Sequence, residues 1–387
     1  MMIRNFKIAV GFLLLATISK SYAQNPLHIP PALYGPIFNL TVQEGTTTFF
    51  PGYNTPTYGV NGALLAPTLF FNKGDSITLN VINTLPFGTT MHWHGLHIPA
   101  RWDGGPHQII PANTTWSPRI KVMNDAATYW YHPHGEKRTE LQVTKGLAGM
   151  IIIKDPTEAA LTLPRTYGVD DFPLIVQTKA FDILRQIAIA TEEDTAIMVN
   201  GTMHPYLNVP AQVVRLRFLN GSTMRTYMFG LSNNQSFKLI GTDDGLLDSA
   251  VTLTRIRVSP GERVEVLVNF SGMTSQTLQL KSYSSELQSG IYGADTVGHG
   301  ASIIPGYDLN PLNGSDFNVL QLNVVAATSS PVTTMPTALV PHAAYLESAA
   351  ARTRTISFDT QLPIDSAKMT EGPFTFNDRS FDMMYVA

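Results

Sequence analysis

Met91-His92-Trp93-His94-Gly95, echoed by Tyr131-His132-Pro133-His134, decides how the rest of this chain reads. Each segment is a His-x-His. In an extended strand alternate side chains leave the same face, so His92 and His94 point one way and Trp93 the other. His132 and His134 do the same around Pro133. Two such strands side by side would bring four imidazoles into one small volume. Neutral imidazole ligates copper, zinc, iron or nickel, so a metal cluster is the natural reading. With 10 His in 387 residues, chance placement supplies roughly a quarter of one such pair per chain. Two pairs, each flanked by aromatics and followed by glycine, exceed that background.

Composition sets the frame outward from these pairs. Arg4 and Lys7 precede an apolar run from Ile8 to Ile18, and Ser21-Tyr22-Ala23 offers small residues for signal peptidase ahead of Gln24. Residues 1–23 therefore read as an export signal, too short for a membrane span, where about 20 apolar residues are needed. An exported protein, periplasmic or secreted, is expected, with no membrane association after cleavage. The formal charge of -3 becomes more negative once Arg4, Lys7 and Lys20 are removed. No basic cluster argues for nucleic acid. The chain has no cysteine, which excludes disulfides, thiolate metal sites and a cysteine nucleophile. Gly and Pro are abundant, at 29 and 26 residues, while charged residues are only 14%. That is the composition of an all-β protein with many turns.

Short strands between turn signals follow from about Leu33. Ile77, Leu79 and Val81 alternate with Thr78 and Asn80 as a half-buried strand, and Ala127 to Tyr131 is an aromatic strand leading into the second His pair. The spacing predicts a short helix over Thr139 to Lys145, stopped by Gly146. Val213-Val214-Arg215-Leu216-Arg217-Phe218-Leu219 alternates apolar and basic positions, as in a strand with one solvated face. Residues 284–318 read as a long loop and 326–351 as a linker. Regular short strands of this kind argue for β-sandwiches.

These residues resemble the multicopper oxidase family, which includes laccases, bilirubin oxidases and copper-efflux oxidases. The resemblance rests on His92-Trp93-His94-Gly95, Asp103-Gly104-Gly105-Pro106-His107-Gln108, Tyr129-Trp130-Tyr131-His132-Pro133-His134 and Gln142-Val143 with Gly146-Leu147-Ala148-Gly149-Met150. Val199-Asn200-Gly201, Arg215 to Asn220 and Pro260-Gly261-Glu262-Arg263 are similar to the metal-free middle domain. Pro373 to Asn377 with Ser380 to Met383 resembles the entry to the third. It implies tandem cupredoxin-like Greek-key sandwiches: a first domain over 34–156, a second over 165–325, and a linker with the start of a third over 326–387.

By the same resemblance, His92 would ligate a type 2 copper, and His94, His132 and His134 a type 3 pair. Asp103 would help deliver protons as oxygen is reduced to water, although Asp-Gly is also a common turn. His28, His107, His204, His299 and His342 match no ligand position. The family's third domain supplies four further histidines and a type 1 copper held by a cysteine. With no cysteine, and no histidine after Met383, the expectation is a partial trinuclear copper site, no type 1 copper, and a family member lacking its C-terminal third. A broken reading frame, an incomplete gene record or real divergence would each account for that.

Two functions compete. One is a laccase-like oxidase, taking electrons from phenols or metal ions and passing them to O2, and inactive as this chain alone. The other is a non-catalytic exported copper-binding protein. A copper-free cupredoxin-like protein is disfavoured by the four retained histidines. Zinc in a hydrolase is disfavoured because nothing here supplies the adjacent Glu of a His-Glu-x-x-His helix. Cleavage is expected between Ala23 and Gln24. N-terminal sequencing of exported material should begin at Gln24, and a start at Met1 would refute the signal.

Overall fold

Apolar side chains alternating with period two build the first sandwich. In strand Ser76–Asn83 every second residue is buried, which puts Ile77, Leu79 and Val81 into a core with Phe38, Leu40, Trp93, Tyr129 and Tyr131. This computed structural model describes residues 24–189, 191, 193–296, 310–342, 345–360 and 374–377. The expected signal up to Ala23, His299, Pro373 and Ser380 to Met383 lie outside them. The protein is nearly all β.

Two five-stranded sheets form this sandwich. One runs in the order Ala32–Leu33, Thr68–Asn72, Gly149–Lys154, Thr128–His132 and His92–His94. The His-x-His strand is therefore its edge. The expected helix spans Thr139–Lys145 and ends at Gly146, with φ 127. The second sandwich has a six-stranded and an eight-stranded sheet, closed over a core that includes Leu174, Leu216, Phe218, Tyr227 and Val266. The first strand of the described chain, Asn25–Pro26, pairs with Pro205–Pro210 of this second unit.

Strand Gly149–Lys154 is buried on both sides. Ile151 and Ile153 enter the first core, while Met150 and Ile152 meet Trp130, Ile175 and Leu219 between the sandwiches. Strand Val213–Asn220 is wholly buried as well, which corrects the solvated face expected for Arg215 and Arg217. Arg217 stands opposite Glu265 on the neighbouring strand, bonds it at 2.7 Å, and grips Asp171 with two bonds of 2.7 and 2.9 Å. Arg215 bonds Glu265 and, at 2.7 Å, Glu158. The network reaches the first sandwich where Thr128 donates to Glu265 at 2.6 Å. An apolar-basic alternation is the same whether the basic face meets water or buried carboxylates of neighbouring strands.

The expected linker is a strap on the second sandwich. Val213 N–H donates to Val332 O, and Ala250 N–H to Thr337 O. Leu339 is buried among Leu163, Ile240, Leu246 and Leu267. Further on, Phe358–Thr360 pairs with Phe374–Phe376.

Burial alone would raise the Glu265 carboxyl, but Arg215 and Arg217 outweigh it and hold it at about 2, against an ordinary 4.5. Its contribution to stability is complete above pH 4.5 and is lost as pH falls through about 2. Arg217→Met leaves two buried carboxylates short of their cation, and chemical denaturation should show a loss of about 3–5 kcal/mol. A loss below about 1 kcal/mol would mean that the network does not hold this interface.

Candidate metal centre

The period-two rule acts on one strand to assemble the site. Along Thr128–His132, Tyr129 and Tyr131 point into the first core, so Thr128, Trp130 and His132 share the opposite face. His132 pairs with His92, Tyr131 with Trp93 and Trp130 with His94 in antiparallel register. Trp93 is fully buried beneath, while His92 and His94 are half-buried on the outer face.

Three of the four expected histidines converge. One ligating nitrogen from each of His92, His94 and His132 lies within 4.8 Å of the other two. His134 is exposed and stands outside that trio. Its ring is nevertheless adjacent, with its centre 5.3 Å from that of His92 and 5.9 Å from that of His132. Its backbone N–H donates to Thr90 Oγ1 at 2.6 Å. His28, His107, His204 and His342 are exposed and do not join the trio.

Backbone carbonyls select the tautomers. His92 Nδ1–H donates to Asp103 O at 2.9 Å, and His132 Nδ1–H to Pro133 O at 2.8 Å. Each leaves Nε2 unprotonated, with the lone pair a metal ligand needs. His94 Nδ1 lies 3.2 Å from His132 Nε2, so these two ligating atoms already face one another. Burial is the main cause that holds the proton affinity of all three below the ordinary 6.5. For His94, burial, then the Arg263 charge, then its fellow imidazoles bring it to about 4. For His92, Asp103 partly offsets burial. The imidazoles are thus neutral and ready to ligate at neutral pH.

Asp103 follows the short 3-10 turn Ala100–Trp102. Its half-exposed carboxylate has Oδ1 3.4 Å from His92 Nδ1. Its neighbour Gly104 has φ 75, and a Cβ there would lie 1.7 Å from Met91 O. Only glycine lets this turn lie against the Met91–His92 backbone. The Asp-Gly turn and the contact with His92 are therefore the same feature.

Several contributors were not singled out from sequence. Trp130 stacks on His132, with ring centres 3.9 Å apart, and leans on His94 at 5.2 Å. From the second sandwich, the turn at Gly261 reaches the cluster, and Arg263 packs beside Gly95. Trp130 could have been found from its period-two spacing with His132. Nothing local in Pro260-Gly261-Glu262-Arg263 announces a contact with a strand about 165 residues earlier.

The chain as a whole is similar to known proteins. A multicopper oxidase family profile matches residues 41–158, and a second multicopper oxidase profile matches 177–284. The multicopper oxidase mco of Staphylococcus epidermidis is 39% identical over 249 residues, which is 63% of this chain and 55% of that protein. The cell division protein FtsP of Escherichia coli is 36% identical over 257 residues, or 64% of this chain and 54% of that one. The chain thus spans about half the length of the curated relatives it matches. Among solved structures, the laccase-like multicopper oxidase CueO of Ochrobactrum sp. superposes with a TM-score of 0.74 at 31% identity, over 90% of this chain and 73% of that one. The McoA multicopper oxidase of Aquifex aeolicus gives 0.75 at 28%, over 92% and 75%.

His92→Ala combined with His94→Ala should abolish copper uptake measured by equilibrium dialysis, and uptake by the unaltered chain should persist below pH 6.5, where ordinary imidazoles take up protons. Undiminished uptake by the double variant would place the metal elsewhere.

Proposed function

The chain belongs to the multicopper oxidase family, and from that premise we propose that His92, His94, His132 and His134 hold copper as the first-domain share of a type 2 and type 3 cluster. The observation that carries this reading is the convergence of three neutral imidazole nitrogens within 4.8 Å, two of them set in the ligating tautomer by Asp103 O and Pro133 O. The donor set suits copper in preference to zinc, because divalent affinity at nitrogen sites peaks at Cu(II). Copper bound there would supply one-electron chemistry toward O2.

The chain's own residues have separable tasks in this proposal. His92 and His132 present Nε2, and His94 presents Nδ1. Trp130 covers one face of His132 and keeps water from it. Asp103, half-exposed and close to His92, would relay protons between solvent and the rim of the cluster. Together with the family's remaining copper ligands, the reaction would be a laccase-like oxidation of phenols or metal ions coupled to reduction of O2 to water.

A second reading has its own support. The 387 residues contain no cysteine, so they hold no thiolate for a blue-copper site, and a relative 36% identical is named for cell division. A non-catalytic exported copper-binding protein fits both facts. The basic residues and apolar run of 1–18 support export in either case. Among the described residues no helix is long and apolar enough to cross a membrane.

Loaded with copper, this chain should bind the metal in a form that a mild chelator removes, show no blue thiolate-to-copper absorption, and give no enzyme-like turnover of a phenol. Any slow oxidation should be insensitive to Asp103→Asn. Rapid turnover that depended on His132 and His134 would overturn the expectation that oxidation needs a thiolate copper site these residues do not contain.

A further inference from the structure

Arg263 belongs to the second sandwich, yet its donors reach across to the first. Nη1 donates to Gly261 O at 2.9 Å, Nη2 to Asp243 O at 2.7 Å, and Nε to Thr128 O at 3.3 Å. Thr128 opens the strand that carries Trp130 and His132. Asp243 Oδ1 also meets Nη1 at 3.0 Å and accepts from the Arg263 backbone N–H at 2.7 Å. The side chain is buried, at 3% exposure, and its bond to Thr128 O is buried with it.

The two ends of this fork lie beside the cluster. Gly261 takes φ 80, and a Cβ there would sit 3.7 Å from Trp130 Cζ2 and 3.9 Å from His94 Cε1, so the turn is next to both rings. Gly95, which follows His94, takes φ 87, and a Cβ on it would lie 3.1 Å from Arg263 Nη2 and 3.0 Å from the Tyr129 ring. The absent side chain is what lets the guanidinium lie beside the end of the His-x-His strand. His94 is thus enclosed by Trp130 from its own domain and by the Gly261 turn from the other. A planar group with donors in fixed directions can hold two turns and a strand at once, which a lysine ammonium on a flexible stem cannot.

We infer that Arg263 is a positioning residue for the metal centre, holding the Gly261 turn and the Thr128 strand so that the His94 and Trp130 rings keep their places. The metal-free second domain is then part of the site. This inference rests on the copper reading above. Partners of this kind, one shell out from the metal, typically contribute about 10–100-fold to affinity.

The test compares the full chain with Arg263→Lys, Arg263→Met and Thr128→Val, each titrated with Cu(II) and examined by electron paramagnetic resonance. In parallel, the His94 ring nitrogens are observed by NMR without metal. Both Arg263 variants should weaken copper binding by about tenfold or more, change the Cu(II) hyperfine pattern and shift the His94 ring signals. Thr128→Val removes the neighbouring Thr128–Glu265 bond at the same interface but touches no imidazole, so it should lower the melting temperature and leave those three readings unchanged. The lysine variant carries the test if the methionine variant does not fold. Wild-type behaviour of Arg263→Lys, or equal effects from Thr128→Val, would overturn the inference. If the unaltered chain takes up no copper, the copper reading falls by itself, and the metal-free His94 signals decide this one.

Discussion

The joint between the two sandwiches depends on where one strand face is pressed. Thr128, Trp130 and His132 share that face, and the second sandwich covers it with the buried carboxylate of Glu265, held between Arg215 and Arg217. Burying such charges is costly, and their attraction offsets the cost only when every donor and acceptor has a partner. Here Asp171, Glu158 and Thr128 complete the set. The network therefore has few alternative arrangements, which makes it a means of register. It sets the interface before it stabilises it.

The same enclosure tunes the imidazoles. His132 and its two partners are held neutral chiefly because they are out of water, and neutral imidazole is the ligating form. Backbone carbonyls then choose which nitrogen keeps its proton. Neither effect needs an unusual residue. Both need the strand edge at His92–His94 to meet a neighbouring turn on one side and a second domain on the other. A site with these properties is ready for a soft or borderline cation without rearrangement of its ligands.

The relatives sharpen what the fold can and cannot decide. A laccase-like oxidase and a protein named for cell division are both similar to this chain, so likeness of fold does not by itself fix the role. What separates the roles is chemistry at sites, and a thiolate is the group these 387 residues do not contain.

Much of the architecture was legible in the sequence because it follows from local period. The alternation around Trp93 and around Tyr129 and Tyr131 determined which residues enter the core and which face the cluster. Ile77, Leu79 and Val81 did the same for their strand, and Gly146 ended the helix where its positive φ requires. Tertiary structure decided the rest. Arg215 and Arg217 alternate as solvent-facing residues would, yet they are buried. The apolar residues around Pro331 and Pro336 read as a linker, yet they strap the second sandwich. Asp103 supplies a carbonyl as well as a carboxylate to His92, and Arg263 reaches Thr128 from 135 residues away. Local pattern reports which face of a strand is polar. What that face meets, whether water or another domain, is set by contacts far apart in the chain.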